Sequence, residues 1–505
     1  MAAEALLGID LGAGSLKASV VSADGRLLGE AAHPIETSIP RFGWAEQDPE
    51  SWWQALRGAA PRALADARLS AQEVRGIGIS AGAHIPVLLD AADQVIRPAI
   101  LWADQRSAAE ARELHELAGD AIIQASLNRV NPTWTLAMLA WVKRYEPEAA
   151  ARTAKLMLAK DYLRFRITGT WETDYSDVIG ALMADHRTRS WSPDLCRLID
   201  WPLETLPPVV EPSTVVGGVT PAAAAALGLK AGTPVVCGSN DTTVEFFGVG
   251  ATRPGMAAIK LATAGVLFLA TEGPVVKPPI SCYPHIVAGM YYLATGTNSC
   301  ASAHRWLRDR MFLTPGGDGA AAFAEMDRLA QTVPPGAEGL LFHPYLQGER
   351  APYWDPHLRA DFIGLTMRHE RAHFARALYE GIAFSIRDLL ETARGFGLDF
   401  GATRLIGGGS RSPTWRQIMA DVTGLLIEKP EHGDASYGAA LIAGIGTGVF
   451  ASPADAVDRC VRIAGRAEPD PARHRFYAEL FQIYKDAQAA LAPIDHRLHK
   501  LISDM

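Results

Sequence analysis

The sequence predicts an α/β fold built as two domains, and three observations carry that expectation. Short apolar segments of strand length alternate with segments whose apolar residues recur at helical spacing. At 505 residues the chain exceeds what one ordinary hydrophobic core organises. A strand, small-residue turn, strand device also occurs twice, as IDLGAGSLKASVV near the start and IKLATAGVLFLA after the midpoint.

The elements follow in order. Ala5–Ile9 and Ala18–Ser22 read as strands joined by the turn GAGS. Asp48-Pro49 is a helix start, an N-cap followed by proline at the first helical position, and it opens a helix through Trp52, Trp53 and Leu56. Further strands are expected at Gly76–Ile79, Val87–Leu89, Pro234–Cys237, Ala257–Leu261, Val266–Ala270 and Arg404–Ile406. Helical patterns fall at Gln105–Leu117, Thr135–Arg144, Ser299–Arg310 and Ala372–Arg394. The turn-rich stretch GVGATRPG, Gly248–Gly255, places one boundary near the midpoint, dividing domains 1–250 and 251–505.

Composition narrows the function classes. A hydrophobic content of 48% with 21% charged residues is that of an ordinary soluble protein. A net charge of -8 without a Lys/Arg-rich run argues against a nucleic-acid partner. It leaves an anionic substrate open, because backbone donors hold phosphate without a basic total. No apolar run reaches the roughly 20 residues of a membrane span. The five cysteines are scattered without a C-x-x-C, and the start lacks the basic and apolar regions of a signal peptide. A soluble, cytoplasmic protein with reduced thiols is expected.

One motif suggests zinc. MRHERAHFAR, 367–376, spaces His369, Glu370 and His373 as H-E-x-x-H. At about 100° per residue from Phe374, Leu378, Ile382, Ile386 and Leu389 gather at roughly 40–120°, and the two histidines fall nearly opposite. Arg376, Glu380, Arg387 and Glu391 share their side, and Arg368 and Arg371 add positive charge. The expectation is a solvated helix face rather than a metal site.

Four other stretches point to phosphate, each beside a plainer alternative. In GIDLGAGSLK, 8–17, Gly12 and Gly14 allow backbone N–H groups near phosphate oxygens, Asp10 can hold Mg²⁺ through water, and Lys17 is a candidate cation. A glycine hairpin with an incidental aspartate fits the same residues. In VVCGSNDTTVEFFGVG, 235–250, Asp241 stands at the carboxyl end of a strand, where α/β sheets place ligands, or merely caps the next helix. LATAG, 261–265, offers the Thr263 hydroxyl and its N–H groups in a second turn, or is an ordinary hairpin. RLIGGGSRSPTWRQIMADVTG, 404–424, sets three glycines between a strand and a helix, where a flat ligand can lie on bare backbone. No G-x-x-x-x-G-K-[ST] is present, so a P-loop enzyme is not expected.

Together these stretches resemble the FGGY family of carbohydrate kinases, of the actin-like ATPase superfamily, from about Leu6 to Val449. ADFIGLTMRHERAHFARALYEG, 360–381, is similar to the family's C-terminal signature and contains the histidine motif. PYLQGERAPYWDP (344–356), WAEQDPESWW (44–53), IRPAILW (96–102), KDYLRFRITG (160–169) and TDYSD (173–177) are also similar to family segments. Within the family the likeness is greatest to members acting on xylulose.

The resemblance implies two actin-like (ribonuclease H-like) ATPase domains with a ligand cleft between them. It implies ATP and Mg²⁺ as cofactors and a small sugar as acceptor, most directly a ketopentose such as xylulose, phosphorylated on a primary hydroxyl. By match, Asp241 is the catalytic base and Asp10 the magnesium-side carboxylate. Gly12, Ser15 and Lys17 form the first phosphate turn, Thr263 the second, and Gly408 and Gly409 the adenosine site. His84, Ala83, Trp102, Asp104 and Thr242 fall on the sugar side. A homodimer is an admissible assembly, without nucleic acid or membrane.

Departures from the family pattern mark both sides. A-G-A-H stands at 81–84 for G-Q-M-H, Thr242 for asparagine, Ala13 for threonine, A-T-A-G for G-T-S-G, and Met138 for lysine. The phosphate-side changes remove hydroxyls and keep backbone donors, so catalysis is expected to survive. The sugar-side changes leave room for another ketose or a polyol. A zinc peptidase, a non-catalytic sugar sensor and an actin-like assembly ATPase are the rival classes. Retention of Asp10, Lys17 and Asp241 argues against the sensor.

Overall fold

The computed structural model describes residues 4–314 and 316–503. In chain order the elements that matter here begin with β1 (Ala5–Leu11), β2 (Ser15–Ser22), β3 (Leu27–Pro34), α1 (Pro49–Ala67) and β4 (Val74–Ala81). They continue with α2 (Ala159–Thr168), β5 (Val215–Gly218), β6 (Pro234–Val236), β7 (Ser239–Asn240) and α3 (Asp241–Gly248). Then come β8 (Ala257–Leu261), β9 (Gly265–Thr271), β10 (Tyr291–Thr297), α4 (Ala301–Leu307) and α5 (Arg371–Gly395). The last are β11 (Thr403–Ile406), α6 (Pro413–Thr423), β12 (Ile427–Pro430), α7 (Ala435–Gly446), β13 (Ile463–Ala467) and α8 (Pro471–Ser503).

The chain forms two compact units, each assembled from separated stretches. The first holds the described residues up to Thr252 together with Thr271–Tyr292 and His432–Val461; the second holds Arg253–Ala270, Leu293–Glu431 and the described residues from Arg462 onward. The chain therefore passes between units near the sequence-based boundary and again at four later points.

In the first unit the main sheet runs β5-β6-β4-β1-β2-β3, with β7 pairing to β4. β1 is antiparallel to β2 and parallel to β4, so an N-terminal hairpin is joined edgewise to a crossover strand. The second unit repeats the device: β8 is antiparallel to β9 and parallel to β11, in the order β10-β9-β8-β11-β12-β13. The echo between the two small-residue turns thus has a topological counterpart.

One face of the first sheet packs on α1, whose Asp48 cap accepts from the Glu50 N–H and whose Trp52, Leu56, Ala59 and Ala63 are buried. The other face carries α7, and here glycine is required by space. A Cβ on Gly8 of β1 would stand 1.8 Å from the Ser436 carbonyl oxygen, and one on Gly78 of β4 would stand 2.1 Å from that of Ala439. The helix backbone lies directly on the strands, sealed by Val244, Phe247, Leu441, Ile442 and Phe450.

Several sequence expectations shift. The helix expected from Gln105 begins at Ala108, because Asp104 and Arg106 are held in a preceding turn. α5 begins at Arg371 with Glu370 as its cap, so His369 lies ahead of the helix and shares no helical face with His373. Their Nδ1 atoms accept from the Thr366 and Glu370 backbone N–H groups. The face beyond them is not solvated. Arg376 and Glu380 are buried, bonded to each other at 2.5 Å and both bonded to the Tyr477 hydroxyl of α8. A helix pattern in isolation gives no sign that another helix covers its polar side. No helix among the described residues is long and apolar enough to cross a membrane.

Gly8→Ala should cost about 1–3 kcal/mol of stability or more by overpacking, because the obstructing atom is backbone. Gly273→Ala, where a Cβ would meet nothing within 4 Å, should stay within about 0.5 kcal/mol of the parent. Denaturant unfolding of the two variants checks this, and equal stabilities would refute the contact.

Candidate active site

Strand register assembles the acidic centre of the first unit. Asp10 on β1 pairs with Ser80 on β4, and Ser80 pairs with Ser239 on β7. Two residues further on, Asp241 opens α3. Three adjacent strands therefore bring the end of β1 level with the start of that helix, and Asp241 acts electrostatically on Asp10. The helix cap is Asn240, whose Oδ1 accepts from the Thr243 N–H, so Asp241 is freed from the capping role the sequence allowed it. Asp241 Oδ1 accepts instead from the Thr242 N–H at 2.6 Å and the Thr242 hydroxyl at 3.1 Å. These donors fix the orientation of its carboxylate at the helix start.

Asp10 is placed differently. Its Oδ1 accepts from the Ser80 hydroxyl at 2.7 Å, but burial first, and then Asp241, Asp434 and Glu245, push its pKa up to about 7. The group carries a proton below neutrality unless a cation compensates. Hard carboxylate oxygens repelling one another are the chemistry a magnesium ion relieves, and one carboxylate acting through water suffices for that ion. Among the described residues, no cluster of three or more His, Cys, Asp or Glu side chains could hold a metal by itself.

The first turn is built from Gly12, Gly14 and Ser15. Gly12 closes it, its N–H donating to the Ser15 carbonyl at 3.0 Å, and Gly14 is exposed with open space around it. Ser15 begins β2. Lys17, expected as a phosphate cation, is paired with Glu30 at 2.6 Å and with Asp434 at 3.2 Å. Burial opposes its charge, but Asp434 and Glu30 outweigh it and raise its pKa. Its charge is therefore committed to holding the α7 cap residue against β2.

His84 follows β4 with a left-handed backbone, φ +68°, costly for a side-chain-bearing residue. Trp134 stacks on its ring at 4.4 Å, the Tyr283 hydroxyl meets its Nε2 at 3.3 Å, and Thr135 donates to its carbonyl. A Cβ on Gly180 would reach its Cε1 at 2.2 Å. Burial alone holds its pKa near 3, so the imidazole is neutral. Ala83 is half-buried, and Trp102, 51% exposed, flanks Gly82. Asp104 has its oxygens bonded by the Ala45 and Arg106 N–H groups and by the Arg106 guanidinium, which stacks on Trp44.

The remaining predicted residues lie in the second unit. Thr263 is exposed in the turn between β8 and β9, where its hydroxyl accepts from Arg305 at 3.2 Å. Gly408 is exposed with open space where a side chain would be, whereas Gly409 is buried against Leu261 and Trp415. Only Gly408 offers bare backbone outward, and Gly409 serves packing.

Sequence reasoning missed the support beneath Asp241. Lys160, fully buried at the start of α2, is ion-paired with Asp161 at 2.5 Å and Asp174 at 2.9 Å. Asp174 Oδ2 accepts from Ser239 at 2.8 Å, two residues before Asp241. Asp177 completes the cluster 3.9 Å from Lys160, and its pKa is held well above the carboxylate range by burial and its acidic neighbours. The charged residues in KDYLRFRITG and TDYSD were the available signal, since a lysine and several aspartates in otherwise apolar surroundings must find one another.

Comparison with known proteins finds matches over most of the chain. Models of the FGGY family of carbohydrate kinases match at residues 5–248 for the N-terminal domain and 257–447 for the C-terminal domain. Identity is 33% to the xylulose kinase of Bacillus subtilis, over 95% of this chain and 96% of that protein. To the xylulose kinase of Escherichia coli it is 35%, over 87% and 89% respectively. The crystal structure of xylulose kinase from Rhodospirillum rubrum matches with a TM-score of 0.88 at 30% identity, covering 98% of this chain and all of that one.

The Asp10 carboxyl makes a pH prediction. With its pKa raised from 3.8 to about 7, the folded state favours the protonated form, so stability is present below pH 4 and is lost as pH rises toward 7. In metal-free buffer Asp10→Asn should remove this slope, gaining on the parent between pH 4 and 7. Parallel stability profiles for parent and variant would contradict it.

Proposed function

The chain belongs to the FGGY family of carbohydrate kinases, and we propose that it transfers the terminal phosphoryl group of ATP to a primary hydroxyl of xylulose or a closely related ketopentose. The xylulose kinases that match most of the chain support this choice of sugar. The observation that carries the reading is the strand register that sets Asp10 and Asp241 beside one another at the end of the sheet.

Phosphoryl transfer asks the protein mainly for positioning and charge stabilisation. Asp241, fixed through Oδ1 by Thr242, orients the sugar hydroxyl and accepts its proton as the oxygen attacks. Neutral His84 binds sugar hydroxyls without adding charge, and its stacked, strained setting keeps it from turning away. Asp10 would hold magnesium through water, and that ion supplies neutralisation of phosphate charge when bound. In the second unit the Ala262–Gly265 turn supplies backbone donors to phosphate oxygens and Gly408 a flat surface for adenine; in the first unit the Gly12–Ser15 turn has the same small-residue character. Gly82 and Ala83 leave the wall beside Trp102 low, which admits a neighbouring ketose or polyol as a weaker acceptor.

Asp241→Asn should lower kcat by about three orders of magnitude or more, with the Kd for ATP within about twofold. A coupled assay of ADP release with xylulose, alongside nucleotide titration, measures both. A near-normal rate in the variant would sink the assignment of Asp241.

A further inference from the structure

The turn between β8 and β9 is flanked by two arginines that the residue-by-residue match did not single out. Its carbonyls face the start of α4: Ala262 accepts from the Ala301 N–H at 2.7 Å, and Thr263 from the N–H groups of Cys300 and Ser302 and from the Ser302 hydroxyl. Arg305, one turn into α4, donates from Nη2 to the Thr263 hydroxyl at 3.2 Å. Arg350 approaches from the other end. Its Nη2 donates to the Thr297 carbonyl at 3.3 Å and lies 3.2 Å from where a Cβ on Gly296 would stand, a point 2.6 Å from the Gly265 carbonyl oxygen.

Arg305 is exposed, Arg350 is exposed yet sheltered enough that burial draws its pKa down against the nearby Glu349 charge, and among the described residues neither forms an ion pair. Glu349, the nearest acid in sequence to Arg350, is otherwise engaged. Its carboxylate accepts from the Thr297 hydroxyl and from the backbone N–H groups of Asn298 and Arg350, both at 2.7 Å. A guanidinium has five N–H donors in a fork that matches phosphate oxygens, and each of these two has given one hydrogen bond to protein. The turn itself is poor in side-chain donors, since Ala262, Ala264 and Gly265 have none and only Thr263 carries a hydroxyl.

We infer that Arg305 and Arg350 bind the polyphosphate of the nucleotide at the Ala262–Gly265 turn, supplying donors that the turn lacks. The inference rests on the kinase reading and adds to it two phosphate-binding residues in the second unit. Arginine is suited to this place because its charge persists at every working pH and its two edges can each take an oxygen.

Calorimetric titration without sugar separates the possibilities. ATP, ADP, AMP and adenosine are titrated into the full chain and into Arg305→Gln, Arg350→Gln and the double variant, each with magnesium. Each single change should weaken ATP about tenfold or more, the loss of a charge-assisted hydrogen bond, and the double change should weaken it further. Adenosine should bind all four proteins within about twofold, and lysine at either position should recover part of the loss. ATP affinity unchanged in all variants, or an equal loss for adenosine, would overturn the inference. Failure of the unaltered chain to bind any of the four would instead overturn the kinase reading on which it rests.

Discussion

The backbone contact between α7 and the strands β1 and β4 is the constraint on which the first unit's chemistry depends. Because Gly8 and Gly78 carry no side chain, the helix lies against the sheet at backbone distance. The same helix meets α3, where a Cβ on Gly438 would stand 2.2 Å from the Val244 carbonyl oxygen. One rigid element thereby fixes both the strand that ends in Asp10 and the helix that begins with Asp241. The two carboxylates arrive together because their backbones cannot move apart, with no direct bond between them required.

That arrangement carries an electrostatic cost, and its distribution is informative. Asp241 takes the favourable position, at a helix start with Thr242 donors, while Asp10 takes the burden of burial and repulsion. Beneath them, the cations of Lys160 and Arg164 are set among Asp161, Asp174 and Asp177 in a buried cluster, and Asp174 reaches Ser239 near Asp241. Removing one member would leave a buried charge uncompensated, which is why such clusters hold geometry more than they add stability. A site poised this way is short of positive charge.

Much of this was legible in the sequence, for stated reasons. The strand–turn–strand device, the Asp48-Pro49 helix start and the glycine turns depend on local rules, and each falls where those rules place it. Asp241 was ambiguous because a strand-end carboxylate and a helix cap look alike in one dimension; Asn240, one residue earlier, resolves it by capping. The partners of Lys17 and Asp104, namely Asp434 and Arg106 stacked on Trp44, had no local signal because they belong to tertiary packing. The two histidines of the H-E-x-x-H stretch pack with ring centroids 5.2 Å apart, each Nδ1 taken by a backbone N–H, and its polar neighbours Arg376 and Glu380 are bonded to Tyr477 of α8. The alternation of units along the chain had no local signal, since α7 reads like any apolar helix until the glycines of β1 and β4 are matched to it.

The central claim is transfer of phosphoryl from ATP to a sugar. Phosphorus NMR of the purified chain with ATP, magnesium and xylulose follows the fate of the phosphorus directly. The account predicts a phosphate monoester growing in step with ADP and only when the sugar is present. Release of inorganic phosphate at the same rate with and without sugar, or no turnover with any ketopentose, would contradict it.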